Sequence, residues 1–172
     1  FETDYKIAGL NILYKEEEGY LKKGVELLCN QVKPTSVLEF GFGKGWTASE
    51  FQKYGIDRHI ILEPNKEVYQ MALDCKENYS TDIDILNIFS WDFEGGETFD
   101  LVYDDRQQFN LDDDDIHYDQ MAKILTDGQW YAGWANRADN RQYDGYPIYF
   151  ELSNVLYVQT LEKWNQPNRF VL

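Results

Sequence analysis

The stretch from Val37 to Gly45 constrains the fold more than any other part of the sequence. It reads Val-Leu-Glu-Phe-Gly-Phe-Gly-Lys-Gly, so a short apolar strand pattern runs directly into alternating glycines, and a helix is predicted from Thr47 to Tyr54. Glycine allows the backbone to turn sharply and allows a ligand to approach it closely. A strand, a glycine loop and a helix in this order are typical of a nucleotide-binding βαβ unit.

Strand and helix patterns alternate along the rest of the chain. The predicted strands are 37–40, 59–63, 83–86, 99–104, 129–134, 154–160 and 169–172, and the predicted helices are 16–31, 47–54, 66–78 and 116–125. Such alternation indicates an α/β fold with a largely parallel sheet. A length of 172 residues suits one domain that spans residues 1–172.

The charge excludes some classes of partner. The chain carries 31 acidic against 16 basic residues, for a net charge of -15. Proteins that bind nucleic acid or anionic membranes need clusters of lysine and arginine, so we expect neither partner. The sequence shows no apolar run of transmembrane length and no signal-peptide pattern, which predicts a cytoplasmic protein. We expect Cys29 and Cys75 to be reduced and structural, and we expect no metal site.

Two acids flank the glycine loop in positions that select a cofactor class. Glu39 stands two residues before Gly41, and Glu63 ends the next predicted strand, 20 residues after Gly43. An acid in the place of Glu63 can accept both hydroxyls of an adenosine ribose. Glu39 would repel the pyrophosphate of a dinucleotide, whereas it suits the cationic methionine tail of S-adenosylmethionine (SAM). These residues therefore favour SAM over a dinucleotide.

With these motifs the chain resembles class I SAM-dependent methyltransferases, and most of all guanidinoacetate N-methyltransferase and its arginine-methylating relatives. The likeness covers roughly residues 16–135 and rests on the stretches Val37 to Gly43, Ile60 to Glu63, Leu86 to Asp92 and Phe99 to Asp104. It implies a Rossmann-like, doubly wound, mostly parallel sheet with an antiparallel C-terminal strand. It also implies SAM as the cofactor and N-methylation as the reaction.

The resemblance further implies roles for individual residues. Glu39, Gly41, Phe42 and Gly43 would serve the methionine part of SAM, Glu63 with the adjoining Pro64 the ribose, Trp91 the adenine face and Asp92 the exocyclic amine. From the residues alone, Trp91 could instead belong to the packed core.

The catalytic roles implied by the resemblance fall on Asp104, Glu17 and the adjoining Tyr103. A pair of carboxylates can bind a protonated amine or guanidinium, orient one nitrogen and take its proton. Asp104 could instead be a helix cap or a surface acid, and Glu17 could belong to an exposed helical face.

The acceptor and the assembly stay open at this stage. We expect a small-molecule amine or guanidino substrate, with Arg106 available for its carboxylate. Protein arginine methylation, aminopropyl transfer and non-catalytic SAM binding are the alternatives. A homo-oligomer is also compatible, since a lid would have to come from residues 1–15 or from a partner subunit, and the tyrosines of segment 143–157 could line an acceptor pocket or an oligomer contact.

Overall fold

The protein was analysed as a computed structural model, which describes residues 5–7, 10–13, 17–79, 81, 83–104, 124, 130–136, 154–160 and 168–170. In chain order the strands are β1 (Tyr5–Ile7), β2 (Leu10–Leu13), β3 (Ser36–Phe40), β4 (Arg58–Leu62), β5 (Ile83–Leu86), β6 (Leu101–Asp104), β7 (Trp130–Asn136), β8 (Asn154–Thr160) and β9 (Asn168–Phe170). The helices are α1 (Glu17–Val32), α2 (Trp46–Phe51) and α3 (Lys66–Lys76), with single 3-10 turns at Gln52–Tyr54 and Ser90–Asp92.

Seven strands form one sheet in the order β5-β4-β3-β6-β7-β8-β9. The first five are mutually parallel, and β8 and β9 each run antiparallel to the preceding strand. The order reverses between β3 and β6, which is the point where open α/β sheets bind ligands. The predicted Rossmann-like, mostly parallel sheet is therefore confirmed, and the antiparallel part comprises two strands.

The sheet carries packed apolar layers on both faces. Leu38, Phe40 and Val102 lie on one face with Phe99 and the buried helical residue Ile124. The opposite face packs against α1, α2 and α3 through two clusters that include Val37, Tyr103 and Ile61. Because side chains alternate along a strand, adjacent residues such as Tyr103 and Asp104 belong to opposite faces.

Element boundaries follow local chemistry that periodicity alone does not resolve. Helix α3 begins where the Asn65 side chain accepts the N–H groups of Glu67 and Val68, at 2.9 and 3.2 Å. The strand expected from Phe99 begins only at Leu101, because Asp100 turns its carboxylate towards Thr35, whose backbone N–H it accepts at 2.8 Å.

Other expectations meet the structure only in part. The hairpin of β1 and β2 was not predicted, since strands of three and four residues are too short for a clear alternating pattern. The helix expected over 116–125 lies outside the described residues apart from Ile124, which is helical. Both cysteines are free, as predicted. Among the helices that the structure describes, none is long and apolar enough to span a membrane.

Candidate cofactor and active site

The carboxyl ends of the parallel strands form one continuous edge. The register places in one row Leu86, Leu62, Phe40, Asp104 and Gly133, from β5 through to β7. The chain leaves the sheet immediately beyond this row, at Gly41 after β3 and at Glu63 after β4. The topology therefore brings Gly41, Glu63 and Asp104 to the same edge, at the reversal of strand order where a ligand is expected.

The glycine loop takes a conformation that favours glycine at each alternate position. Gly41, Gly43 and Gly45 have φ angles of +88°, +55° and +69°, a region that other residues rarely adopt. The Gly41 N–H donates to the carbonyl of Leu62 at 2.9 Å, which ties the start of the loop to β4. The loop ends at Gly45, whose N–H donates to the Phe42 carbonyl at 2.7 Å just before α2.

Phe42 contributes to the site through its backbone rather than its ring. The side chain is 3% exposed and packs with Ile61 and Val68 beneath the loop. The ring of Phe42 is buried between the glycine loop and helices α2 and α3, so it is not available to contact a cofactor. Only the main chain of Phe42 can have the predicted cofactor-binding role. Its N–H group is already in use, since it donates to Glu63 Oε2 at 2.9 Å.

Glu63 links the glycine loop to the start of α3. Its Oε2 accepts from Phe42, and its Oε1 accepts the N–H of Asn65 at 2.8 Å. Burial raises the pKa of Glu63, although backbone N–H groups of Phe42, Asn65 and Gly43 act in the opposite direction. The two carboxylate oxygens have four lone pairs in total, one more than the three backbone N–H groups that act on them. Glu63 therefore keeps some acceptor capacity for the predicted ribose contact.

Glu39 is enclosed by the protein. It is fully buried, its Oε1 accepts from the Thr47 hydroxyl, and its Oε2 lies 3.0 Å from His59 Nε2. The sequence predicts that Glu39 serves the methionine tail, either directly or through water. A direct contact is not supported, because both oxygens already have protein donors and the residue is fully buried.

The predicted adenine contacts lie at the surface beyond β5. Trp91 is 58% exposed and stacks on Phe89, with ring centroids 4.4 Å apart and planes at 8°. The alternative of core packing for Trp91 is therefore excluded. Asp92 and Pro64 are also exposed. A flat, exposed indole is a suitable surface for stacking a nucleobase.

The loops after β4 and β5 are tied together beside these residues. The Asn87 side-chain amide donates to the carbonyls of Glu63 and Pro64, at 2.8 and 3.1 Å. This amide holds the proposed ribose-binding and adenine-binding segments in one arrangement, and no sequence motif marks Asn87 for this role.

Asp104 and Tyr103 end β6 on opposite faces of the sheet. Asp104 is 3% exposed, which excludes the alternative of a simple surface acid. Tyr103 is fully buried and packs edge-to-face on Phe51, with centroids 5.3 Å apart. The prediction of Tyr103 as a catalytic residue is corrected on this ground, because its ring lies in the core among α1 and α2 and packs there.

Several predicted residues fall where the structure says little or nothing. Glu17 opens helix α1, but its side chain lies outside the described part of the chain. Arg106 and most of segment 143–157 also lie outside it, whereas Tyr157 belongs to β8. No group of three or more possible metal ligands occurs among the described residues.

His59 and Thr47 are two further residues that sequence reasoning missed. His59 lies inside an ordinary strand pattern, and Thr47 is one of two hydroxyl residues in α2, so neither carries a sequence signal. Their importance appears only through the register, which places Val37 opposite His59 and Glu39 opposite Ile61 and so brings Glu39 and His59 onto one face.

Three solved structures share the fold. The N-methyltransferase NodS from Bradyrhizobium japonicum is 18% identical, with a TM-score of 0.59, over 78% of this chain and 76% of NodS. Its complex with S-adenosyl-L-homocysteine aligns at a TM-score of 0.55 and 18% identity, over 73% of this chain and 63% of that one. A SAM-dependent methyltransferase from Clostridium acetobutylicum is 12% identical, with a TM-score of 0.60, over 89% and 71% of the two chains.

Sequence comparison adds the family. A comparison with functionally curated proteins gave no match. The sequence profile for guanidinoacetate N-methyltransferase, however, matches residues 1–128, well over half of the 172 residues. The site is compatible with this match, because the glycine loop after β3 and Glu63 after β4 lie side by side and are joined by the hydrogen bond from the Phe42 N–H to Glu63 Oε2. The chain therefore belongs to the guanidinoacetate N-methyltransferase family and is a SAM-dependent methyltransferase with a Rossmann-like class I fold.

Proposed function

We propose that this enzyme transfers a methyl group to a nitrogen of a small amine or guanidino compound, with Asp104 as the residue that orients the acceptor. The observation that carries the proposal is the position of Asp104. Asp104 is 3% exposed and lies at the carboxyl end of β6, opposite Phe40, the residue that precedes the glycine loop. A carboxylate in this place is suited to a cationic nitrogen next to the cofactor.

The residues of the chain have complementary tasks in this reaction. When bound, SAM supplies an electrophilic methyl on a sulfonium that departs as a neutral thioether. Asp104 accepts N–H hydrogen bonds from the acceptor and takes a proton from its cationic nitrogen, which frees a lone pair in line with the methyl carbon. The methylated nitrogen is again cationic and leaves as the protonated product, and Asp104 gives its proton to water. Alignment alone can lower the barrier by several kcal/mol.

Glu17 is proposed as the second carboxylate. A guanidinium presents N–H groups along two edges, so two acids can hold it more firmly than one. The net charge of -15 also favours cationic over anionic substrates and argues against nucleic-acid or membrane partners. The same charge would attract a basic polypeptide, so methylation of protein arginine is the alternative that the assay must separate.

An acceptor panel tests the proposal. The enzyme is incubated with methyl-labelled SAM and, separately, with guanidinoacetate, free arginine, simple primary amines and an arginine-rich peptide, and products are identified by mass spectrometry. Label on a nitrogen of a small molecule supports the proposal. Label on the peptide alone would establish the protein-directed alternative, and label only on oxygen or carbon would refute N-methylation.

The matched variant is Asp104→Asn, which keeps the size of the side chain but removes the proton acceptor. A general base typically contributes a factor of about 100 to 10,000. We expect kcat to fall by at least about 100-fold while calorimetric affinity for SAM stays near that of the unmodified enzyme. Unchanged turnover would exclude Asp104 as the acceptor-orienting residue.

A further inference from the structure

A continuous chain of hydrogen bonds runs behind the glycine loop. The backbone N–H of Thr81 donates to Gln52 Oε1 at 3.2 Å, and Gln52 Nε2 lies 3.2 Å from His59 Nδ1. His59 Nε2 in turn lies 3.0 Å from Glu39 Oε2. The other oxygen of Glu39 accepts the hydroxyl of Thr47. This series of hydrogen bonds thus connects the segment before β5 with the first turn of α2.

The backbone N–H of Thr81 determines the direction of the hydrogen bonds that involve Gln52 and His59. A backbone N–H can only donate, so the amide oxygen of Gln52 must face Thr81 and its NH₂ group must face His59. The Nδ1 atom of His59 is then the acceptor and carries no proton. Nε2 therefore carries the proton and donates it to Glu39. A doubly protonated His59 would set an N–H against the NH₂ of Gln52.

This arrangement fixes both ends of the glycine loop. Glu39 lies on β3 two residues before Gly41, and Thr47 lies on α2 two residues after Gly45, so their hydrogen bond closes the loop at its base. Glu39 and His59 are both fully buried. Within the described part of the chain, no lysine or arginine forms an ion pair with Glu39, whose two protein donors are the neutral groups of Thr47 and His59.

We propose that His59 is a positioning residue for the cofactor: as the neutral Nε2–H tautomer, it holds the Glu39 carboxylate beneath the glycine loop and so keeps the loop shaped for SAM. His59 touches neither substrate nor reacting atoms in this role. The inference depends on SAM binding and is independent of the acceptor, so failure of the acceptor panel would leave it standing. His59 acts through Glu39, and Gln52 acts by fixing the tautomer.

Two substitutions separate positioning from simple packing. His59→Gln can place an amide N–H near the former Nε2, whereas His59→Leu fills the space without a donor. We expect His59→Leu to weaken calorimetric SAM affinity about tenfold or more, the effect of one lost hydrogen bond to a buried charge. KM for SAM should rise by a similar factor while kcat changes little. His59→Gln should restore most of the affinity.

The matched control is Leu101→Ala, a truncation of a core side chain at the start of β6, away from the site at Asp104. It should lower the melting temperature yet leave the affinity of the folded protein for SAM unchanged. If His59→Leu behaves in the same way, or if His59→Gln and His59→Leu bind SAM equally, the positioning role is excluded. Absence of SAM binding by the unmodified protein would also overturn it.

The tautomer is measurable without disturbing the fold. The chain has two histidines, His59 and His117, so a His117→Gln variant leaves a single imidazole to observe by long-range ¹H–¹⁵N NMR. The proposal requires a protonated Nε2 and an unprotonated Nδ1 at neutral pH. A protonated Nδ1, alone or together with Nε2, would overturn it even if the substitutions failed to fold. Gln52→Leu should allow the two tautomers to mix.

Discussion

The most decisive stability experiment compares Gly45→Ala with Gly55→Ala. Both glycines have nearly the same backbone conformation, with φ of +69° and +71°. Their surroundings differ. A Cβ on Gly45 would lie 2.5 Å from Phe42 Cζ and 2.9 Å from Tyr79 Oη, whereas a Cβ on Gly55 would meet no atom within 4 Å. The two substitutions therefore share a backbone strain but differ in steric overlap.

The expected magnitudes follow from these two terms. Placing a non-glycine residue in the left-handed region lowers the free energy of unfolding by about 1–2 kcal/mol, and this loss applies to both variants. The lower entropy of the unfolded chain raises the free energy of unfolding by about 0.4–1 kcal/mol, again equally in both variants. Only Gly45→Ala must also displace the buried Phe42 ring, an overpacking that costs about 1–3 kcal/mol. The difference between the variants should therefore be about 1–3 kcal/mol, a large part of the roughly 5–15 kcal/mol that holds a typical domain folded.

Urea unfolding followed by circular dichroism measures this difference, provided that the slope of the transition is the same in both variants. SAM affinity is measured on the same samples. Because Phe42 supports the loop and donates to Glu63, we expect Gly45→Ala to weaken SAM binding and Gly55→Ala to leave it intact. Equal loss of stability in the two variants would show that Phe42 and Tyr79 do not enclose Gly45, and would refute the packing of the loop deduced above.

Three further predictions concern titratable groups. Glu63→Gln should weaken SAM binding about 10- to 100-fold, as measured by calorimetry. In the unmodified protein, SAM affinity should fall as the pH is lowered through the raised pKa of Glu63. An affinity that does not change with pH would contradict the ribose contact. Burial acts to raise the pKa of Asp100, but hydrogen bonds from Thr35 and Ser36 outweigh burial and leave the pKa lowered. The Asp100 carboxylate therefore stabilises the fold at pH values above its unfolded-state pKa of about 3.9. This stabilisation is lost as the pH falls through the folded-state pKa. Asp100→Asn should therefore cost about 1 kcal/mol at neutral pH and flatten the acid limb of stability, and an unchanged limb would contradict this. Burial raises the pKa of Cys29 to about 12, so a thiol reagent at neutral pH should modify Cys29 only after unfolding, and rapid labelling of that residue in the native protein would show that α1 does not cover it.

The sequence predicted the sheet because parallel strands buried on both faces leave continuous apolar runs, as in Ile60-Ile61-Leu62. It predicted the positions of Gly41, Glu63 and Asp104 because each directly follows or ends such a run. It could not predict that the Phe42 ring turns inward, since an aromatic residue between glycines can lie on either side of the loop. Tyr103 was misassigned for a related reason: its neighbour Asp104 is at the site, but alternation places the two on opposite faces.

The sequence did not predict the residues that act by holding other residues in position. His59 and Gln52 contact each other across seven positions, through a 3-10 turn and the start of a strand, and Asn87 reaches back 23 and 24 positions to Pro64 and Glu63. None of these pairings has a spacing that marks it in advance. They depend on register and on rotamers, which are settled only when the strands are packed.

The distribution of buried acids gives the net charge of -15 a functional meaning. Four carboxylates are buried among the described residues, and one of them, Glu50, pairs with Lys53 at 2.6 Å. The other three are Glu39, Glu63 and Asp104, and all three lie at the carboxyl edge of the sheet. Burial of an acid costs several kcal/mol unless donors offset it. For Glu63 the donors include the N–H groups of Phe42 and Asn65, and for Glu39 the partners are Thr47 and His59. This edge of the sheet therefore concentrates acidic side chains, which disfavours a phosphate-bearing cofactor. It is compatible with SAM and with the cationic nitrogen acceptor proposed above, for which Asp104 is the acid proposed to orient the nitrogen.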